Sequence, residues 1–159
     1  MLKYVGPLMV VEDIKRSRHF YEQILGQHVD MDFGENVAFQ GGFSIHRKGH
    51  FQELLGDSTR HPIVSKANNG ELYFESDEIE EVLGRLKGNS VEFVSEIEEQ
   101  PWGQLAMRFY DPDGHIIEIG EPMESTVQRL HKQGLSPQEI VKKTGMPAEF
   151  VEKAVKEAK

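Results

Sequence analysis

Two hydrophobic periodicities alternate along the chain, and the alternation occurs twice. Residues 4–11 are rich in β-formers and predict a first strand, with Pro7 placing it at a sheet edge or bulge. Asp13 then stands where a helix N-cap belongs. Ile14, Tyr21, Ile24 and Leu25 supply the apolar stripe of one helix, and Gly26 suits its C′ position. Residues 29–32, 37–39 and 43–46 follow as three short strands separated by glycines. Residues 47–70 interrupt the pattern. They are polar, hold His50, Phe51, His61 and Pro62, and end in Asn68-Asn69-Gly70, which predicts an irregular lid or binding loop.

The pattern then restarts. Residues 71–75 read as a strand, and Asp77 with Glu80 three residues on has the form of a capping box. Ile79, Val82, Leu83 and Leu86 fall at i, i+3, i+4 and i+7 of one amphipathic face, which Gly88 closes. Residues 91–94, 105–110 and 116–119 supply three further strands. A βαβββ unit therefore occurs twice, and each copy presents a sheet face that the other can cover. The expected fold class is α+β. Two βαβββ modules, about residues 1–66 and 67–123, form a curved, partly open barrel around a cleft, followed by a short helical tail at 124–159.

The tail differs from the rest in charge. Residues 125–159 hold seven Lys or Arg against four Glu, whereas the whole chain of 159 residues carries a net charge of −9. Gly134 and Gly145 can each end a helix, Ser136-Pro-Gln-Glu139 has the form of a capping box with Pro at N1, and Pro147 can open another helix. The run from Leu135 to Pro147 resembles a helix-turn-helix, but the would-be recognition helix carries Glu149, Glu152 and Glu157, which repel phosphates. Nucleic acid is therefore not the expected partner; packing or oligomer-forming helices are, which leaves a homodimer open.

Composition narrows the setting. The absence of cysteine excludes disulfides, thiolate metal sites and a Cys nucleophile, and fits a reducing, cytoplasmic location. No apolar run approaches the ~20 residues that span a bilayer, so no membrane partner is expected.

The candidate chemistry gathers on the last predicted hairpin, Arg108-Phe-Tyr-Asp-Pro-Asp-Gly-His-Ile-Ile-Glu-Ile-Gly120. Pro112 presets φ, Asp111 and Asp113 can bond local backbone, and Gly114 tolerates positive φ. Glu118 alternates against Ile117 and Ile119 and so faces opposite to them. By spacing alone the commoner outcome is an exposed glutamate on an edge strand; a cavity-facing carboxylate would require a partner. Trp102, the only Trp, precedes the penultimate strand, where it either walls a cavity or packs. Phe39, Gln104, Arg108 and Tyr110 are candidates for lining the same cavity. Arg108, beside acidic strands, reads first as a structural ion pair and second as an anion receptor. His115, in the turn, is expected to be exposed.

Three stretches carry a resemblance. Asp13-Ile-Lys-Arg-Ser17 with Phe20-Tyr21 and Leu25-Gly26, then Glu71-Leu-Tyr-Phe-Glu-Ser-Asp77, then Asp111-Pro-Asp-Gly114 with Ile117-Glu118, resemble the signatures of the vicinal oxygen chelate superfamily. That group contains glyoxalases, bleomycin-resistance proteins, fosfomycin-modifying enzymes and extradiol dioxygenases. The resemblance implies a small oxygenated substrate and, in metal-dependent members, four cavity residues around a divalent ion. Here the usual first His is Gly6, the first carboxylate position falls near Ser44 with His46 two residues on, and the second His position is Glu71. Only Glu118 matches as it stands.

The remaining set of His46, Glu71 and Glu118 would suit Zn²⁺, Mn²⁺, Fe²⁺, Ni²⁺ or Mg²⁺. These three side chains are expected to converge in the cleft between the modules, with Glu118 as the catalytic carboxylate. Alternatively, His46 is a polar lining residue bonded to one of the glutamates. Three functions stay open: a metal-dependent lyase, isomerase or dioxygenase acting on a small oxygenated molecule; a non-catalytic, bleomycin-resistance-like binder of a drug or metabolite; and a ligand-sensing regulator whose tail touches DNA.

Overall fold

Eight strands form two four-stranded open sheets, one from each half of the duplicated pattern. The computed structural model describes residues 1–157. The first half consists of β1 (Leu8–Val11), α1 (Ile14–His19) with a π-helical continuation (Phe20–Ile24), β2 (Val29–Asp32), β3 (Asn36–Phe39), β4 (Ser44–Arg47) and α2 (Lys48–Leu55). The second consists of β5 (Glu71–Glu75), α3 (Ile79–Gly88), β6 (Phe93–Glu99), β7 (Leu105–Tyr110) and β8 (Ile116–Gly120). The helices α4 (Met123–Lys132), α5 (Pro137–Thr144) and α6 (Ala148–Glu157) end the described chain. Strand orders are β1-β4-β3-β2 and β5-β8-β7-β6, so the first and last strands of each βαβββ unit are neighbours. The chain separates into two units. One is Met1–Glu71 with the hairpin tip Tyr110–Ile116; the other is Leu72–Phe109 with Ile117 onward.

In the first unit, Asp13 caps α1 by accepting from the backbone N–H groups of Lys15 and Arg16. The π-helical turn brings Phe20, Tyr21 and Ile24 inward. Tyr21 is fully buried and meets the rings of Phe39 and Phe43 at 5.5 and 5.1 Å. Its hydroxyl donates to Asp111 Oδ2 at 2.8 Å. Pairing of Val37 with Ile45, and of Met9 with Ile45, puts these residues on the helix-covered face with Val11. Asn36, Ala38, Ser44, His46 and Val10 therefore share the other face.

Several expectations need correction, beginning with the first strand, which was expected over residues 4–11 and starts only at Leu8, after Pro7. Residues 48–55 are helical rather than irregular: no residue of α2 is fully buried, so its apolar pattern is weak. What holds it is packing on β4 and β1, with His50 and Phe51 set against the His46 ring. The strand expected at 91–94 runs instead over Phe93–Glu99. It is an edge strand, where backbone pairing with β7 carries a polar sequence that alternation alone leaves unmarked. Asp77 does not cap α3, which begins at Ile79; its carboxylate instead receives the hydroxyl of Ser125 on α4. Glu118 is not on an edge, since β8 lies between β5 and β7, and it is buried.

His115 is also not exposed but half-buried. Asp111 Oδ1 accepts from the N–H groups of Asp113 and His115, and Oδ2 meets His115 Nδ1 at 2.9 Å. Burial opposes charging of the imidazole, but Asp111 and Asp113 outweigh it and raise the His115 pKa above its ordinary 6.5. A raised folded-state value means stability fully present below about pH 6.5 and lost as pH rises through the folded value. In urea unfolding, the advantage of the parent protein over His115→Gln is expected to be larger at pH 5.5 than at pH 8. Equal differences at the two pH values would remove the charged pair from the account.

The second unit buries Leu72, Ile79, Val82, Leu86, Ala106, Met107, Phe109, Ile117 and Ile119. Its three terminal helices share a core of Val127, Leu130, Ile140, Val151 and Ala154. The capping box forms as expected, with Ser136 Oγ accepting from Glu139 N–H and the Glu139 carboxylate accepting from Ser136 N–H. Gly145 ends α5 in the left-handed conformation. No helix among the described residues is long and apolar enough to cross a membrane.

Candidate functional site

Each unit carries a polar sheet face built by strand parity. In the first, a cavity of about 270 Å³ is lined by residues that include Gly6, Pro7, Asp30, Asn36, Ala38 and Ser44. Gly6 is there for steric reasons: a Cβ at this position would overlap the carbonyl oxygen of Gly42. An imidazole cannot replace it without moving the backbone. His46 lies on the same face and is 8% exposed. Its Nε2 is 2.7 Å from His50 Nδ1, and its Nδ1 is 3.3 Å from the Asn36 side-chain amide. Burial, followed by the charge of nearby His50, lowers its pKa against the opposing pull of Glu35. His46 is thus a neutral, bonded imidazole at neutral pH.

In the second unit the focus is Glu118. It is 5% exposed and forms an ion pair with Arg108, whose side chain stays 26% exposed. The pair therefore shows solvent its cation and hides its carboxylate. Beside it runs a chain of hydrogen bonds. Trp102 Nε1 donates to Gln104 Oε1 at 2.9 Å, and Gln104 Nε2 donates to the Tyr73 hydroxyl at 2.9 Å and the Glu121 carbonyl at 2.7 Å. The Tyr73 hydroxyl in turn donates to Glu75 at 2.9 Å. Gly120 leaves the room this requires, since a Cβ there would lie 2.7 Å from Gln104 Nε2 and 2.9 Å from the Tyr73 oxygen. Burial pushes the Tyr73 phenol up to about 12; the bond from Gln104 works against the rise, and Glu75 and Glu118 add to it. Tyr73 is therefore a protonated donor throughout the neutral range.

The sequence-derived candidates separate accordingly. Arg108, Glu118, Trp102 and Gln104 all belong to the second unit, where the first two pair with each other and the last two bond directly. Glu71 is exposed at the start of β5. Phe39 is 3% exposed and stacks on Phe43 at 4.6 Å, while also contributing to the wall of the first unit's cavity. Tyr110 belongs with the first unit, where its hydroxyl donates to Asn68 at 3.0 Å and Lys66 sits 4.6 Å above its ring.

Sequence reasoning missed two residues, Tyr73 and His50. Alternation of Glu71, Tyr73 and Glu75 against buried Leu72 was a usable signal for the first. The second was noted only as part of an irregular 47–70 loop, and its place beside His46 was hidden because the helix that carries it was not expected. Among the described residues, no three His, Asp or Glu side chains group closely enough to hold a metal ion. Donor chemistry agrees: Gly6 offers no ligand atom, and Glu118 already faces a guanidinium. The residues present fit a divalent ion poorly.

Comparison with known proteins gives a consistent picture. The Glyoxalase-like domain family matches residues 4–124. A crystal structure of a protein of unknown function from Agrobacterium tumefaciens str. C58 is 37% identical with a TM-score of 0.67, covering 76% of this chain and 94% of that one. The uncharacterized protein YetH of Bacillus subtilis (strain 168) is 25% identical over 124 residues, 76% of this chain and 100% of YetH. A glyoxalase-related enzyme from Fulvimarina pelagi, 22% identical with a TM-score of 0.64 over 77% of this chain and 90% of its own, shares the fold.

Proposed function

Because the chain belongs to the glyoxalase-like domain family, and with it to the vicinal oxygen chelate superfamily, we propose that it binds a small oxygenated molecule on the polar face of its second sheet without a metal ion. The observation that carries this reading is the Arg108–Glu118 pair. A metal-dependent member needs its carboxylate for the ion; here a fixed guanidinium occupies that electrostatic role. A guanidinium recognises ligand oxygens through a planar fork of donors. Tyr73 and Gln104 supply neutral polar contacts beside it, and Trp102, 38% exposed, supplies an aromatic surface. An apolar wall with a few convergent polar groups is the usual make-up of a small-molecule site. Sequestration without turnover, as in bleomycin-resistance proteins, follows from this arrangement more directly than catalysis.

Calorimetric titration with catechol, an aromatic vicinal diol, in buffer containing EDTA tests the reading. Binding is expected without added metal, to weaken about tenfold (~1.4 kcal/mol) in Arg108→Lys or Tyr73→Phe, and to leave the catechol unconsumed. Binding that appears only after a divalent ion is added, or indifference to both substitutions, would overturn it.

A second reading is the metal-dependent enzyme with His46, Glu71 and Glu118 as ligands and Glu118 as the catalytic carboxylate. Its motive is the metal dependence of related family members; in this chain His46 would have to give up its 2.7 Å bond to His50, and Glu118 its pairing with Arg108, to take an ion. Less than about one-tenth equivalent of metal in protein purified without chelators, with no stability gain on adding Zn²⁺ or Mn²⁺, would exclude it.

A further inference from the structure

All but the first residues of the helical tail lie beyond the matched family domain, yet the tail grips the turn that carries Trp102 and Gln104. That turn closes on itself through Gly103 N–H to the Gln100 carbonyl, at 2.7 Å, and Gln100 N–H to the Gln104 carbonyl, at 2.8 Å. Arg129 of α4 reaches it directly: Nη2 donates to the Gly103 carbonyl at 2.5 Å. The same guanidinium donates to both carboxylate oxygens of Glu121, from Nε at 3.0 Å to Oε1 and from Nη2 at 3.0 Å to Oε2. Glu121 also accepts from the Leu105 N–H and the Thr126 hydroxyl, and its own carbonyl receives Gln104 Nε2. On the outer side, Glu99 joins Arg129 to Lys143 of α5, at 3.3 and 2.8 Å.

The packing is equally close. Gly103 has φ +89°, and a Cβ there would lie 2.8 Å from Lys143 Cε and 3.1 Å from Leu130 Cδ1. Side chains of α4 and α5 therefore rest on the backbone of the turn itself. Arg129 is 22% exposed and is bound along a bidentate edge, the arrangement in which a guanidinium restrains its partners most strongly.

We propose that Arg129 is a positioning residue: through Glu121 and Gly103, it holds the 100–104 turn so that Trp102 and Gln104 stand beside Tyr73 as one wall of the binding face. The tail thereby belongs to the site without touching the ligand. This use of the wall rests on the function proposed above; the grip on the turn does not.

Trp102 is the only tryptophan, so its fluorescence reads the turn without any ligand. In the full chain, Arg129→Ala is expected to shift Trp102 emission to the red and let acrylamide reach it more readily. The same variant should weaken catechol binding about tenfold, or ~1.4 kcal/mol. Arg129→Lys, which keeps the charge but not the bidentate edge, should fall between the parent and Arg129→Ala. Lys132→Ala, on the exposed side of α4, should match the parent. If Arg129→Ala fails to fold, Arg129→Lys carries the test, since an ammonium keeps the charge facing Glu121 but cannot hold both its carboxylate edge and the Gly103 carbonyl. Unchanged emission and quenching in the folded variants would overturn the proposal. Altered Trp102 signals in a protein that never binds catechol would uphold the grip on the turn and reject the ligand reading instead.

Discussion

Arg108→Met is expected to destabilise the protein by about 3 kcal/mol, among the largest effects of any polar substitution in the chain. The substitution leaves the Glu118 carboxylate, 5% exposed, without its countercharge. Breaking a buried pair by removing one partner costs about 3–5 kcal/mol, and the lower end applies because the Arg108 side chain is 26% exposed. Glu118→Gln should cost less, since an amide needs no countercharge. Arg108→Met combined with Glu118→Leu should recover most of the loss, because two apolar side chains of similar volume no longer bury a charge. Urea unfolding of the single and double variants measures the coupling. A single-variant cost below about 1 kcal/mol would class the pair with surface ion pairs and weaken its role as the centre of the site.

Tyr21 anchors the first unit, and its two substitutions separate packing from hydrogen bonding. Tyr21→Ala removes a fully buried ring from contact with Phe20, Phe39 and Phe43 and is expected to cost about 3–5 kcal/mol, as aromatic truncations in cores do. Tyr21→Phe retains the ring but withdraws the donor from Asp111, with an expected cost of about 1–3 kcal/mol. Burial works to raise the Asp111 carboxyl, but bonds from His115 and Tyr21 bring it below its ordinary value. A lowered carboxyl contributes stability above its unfolded value that disappears as pH falls through the folded one. Without the tyrosine donor the folded value rises, so acid unfolding of Tyr21→Phe should begin at higher pH. Thermal and acid unfolding of both variants decide the matter. Coincident acid transitions would show that Asp111 is held by His115 and the local backbone N–H groups without help from Tyr21.

The Leu8–Val11 part of the first strand, the capped first helix, the 79–86 stripe and the Asp-Pro-Asp-Gly hairpin were legible because each rests on local chemistry. Asp13 caps a neighbouring N–H, Gly26 takes positive φ, and alternation sets the faces of β3, β4 and β8. Duplication was legible for the same reason, since period and order survive without any contact between distant residues. The tail helices belong here too: Ser136, Glu139 and Gly145 act within a single turn.

What tertiary structure alone decided are the partners. That Glu118 meets Arg108 depends on β8 lying next to β7, and strand order in space cannot be read from parity. The helix at 48–55 exists because His50 and Phe51 find the His46 ring, a contact that no window of residues within it reveals. Asp77 has the spacing of a cap yet receives Ser125, because a hydroxyl brought close by folding replaced the backbone donor that sequence nominated. Arg129 carries no signal at all in the sequence beyond being one more cation on a basic helix. Only folding placed Glu121 and the Gly103 carbonyl within its reach, since hydrogen bonds are short-ranged and directional whereas hydrophobic periodicity is not.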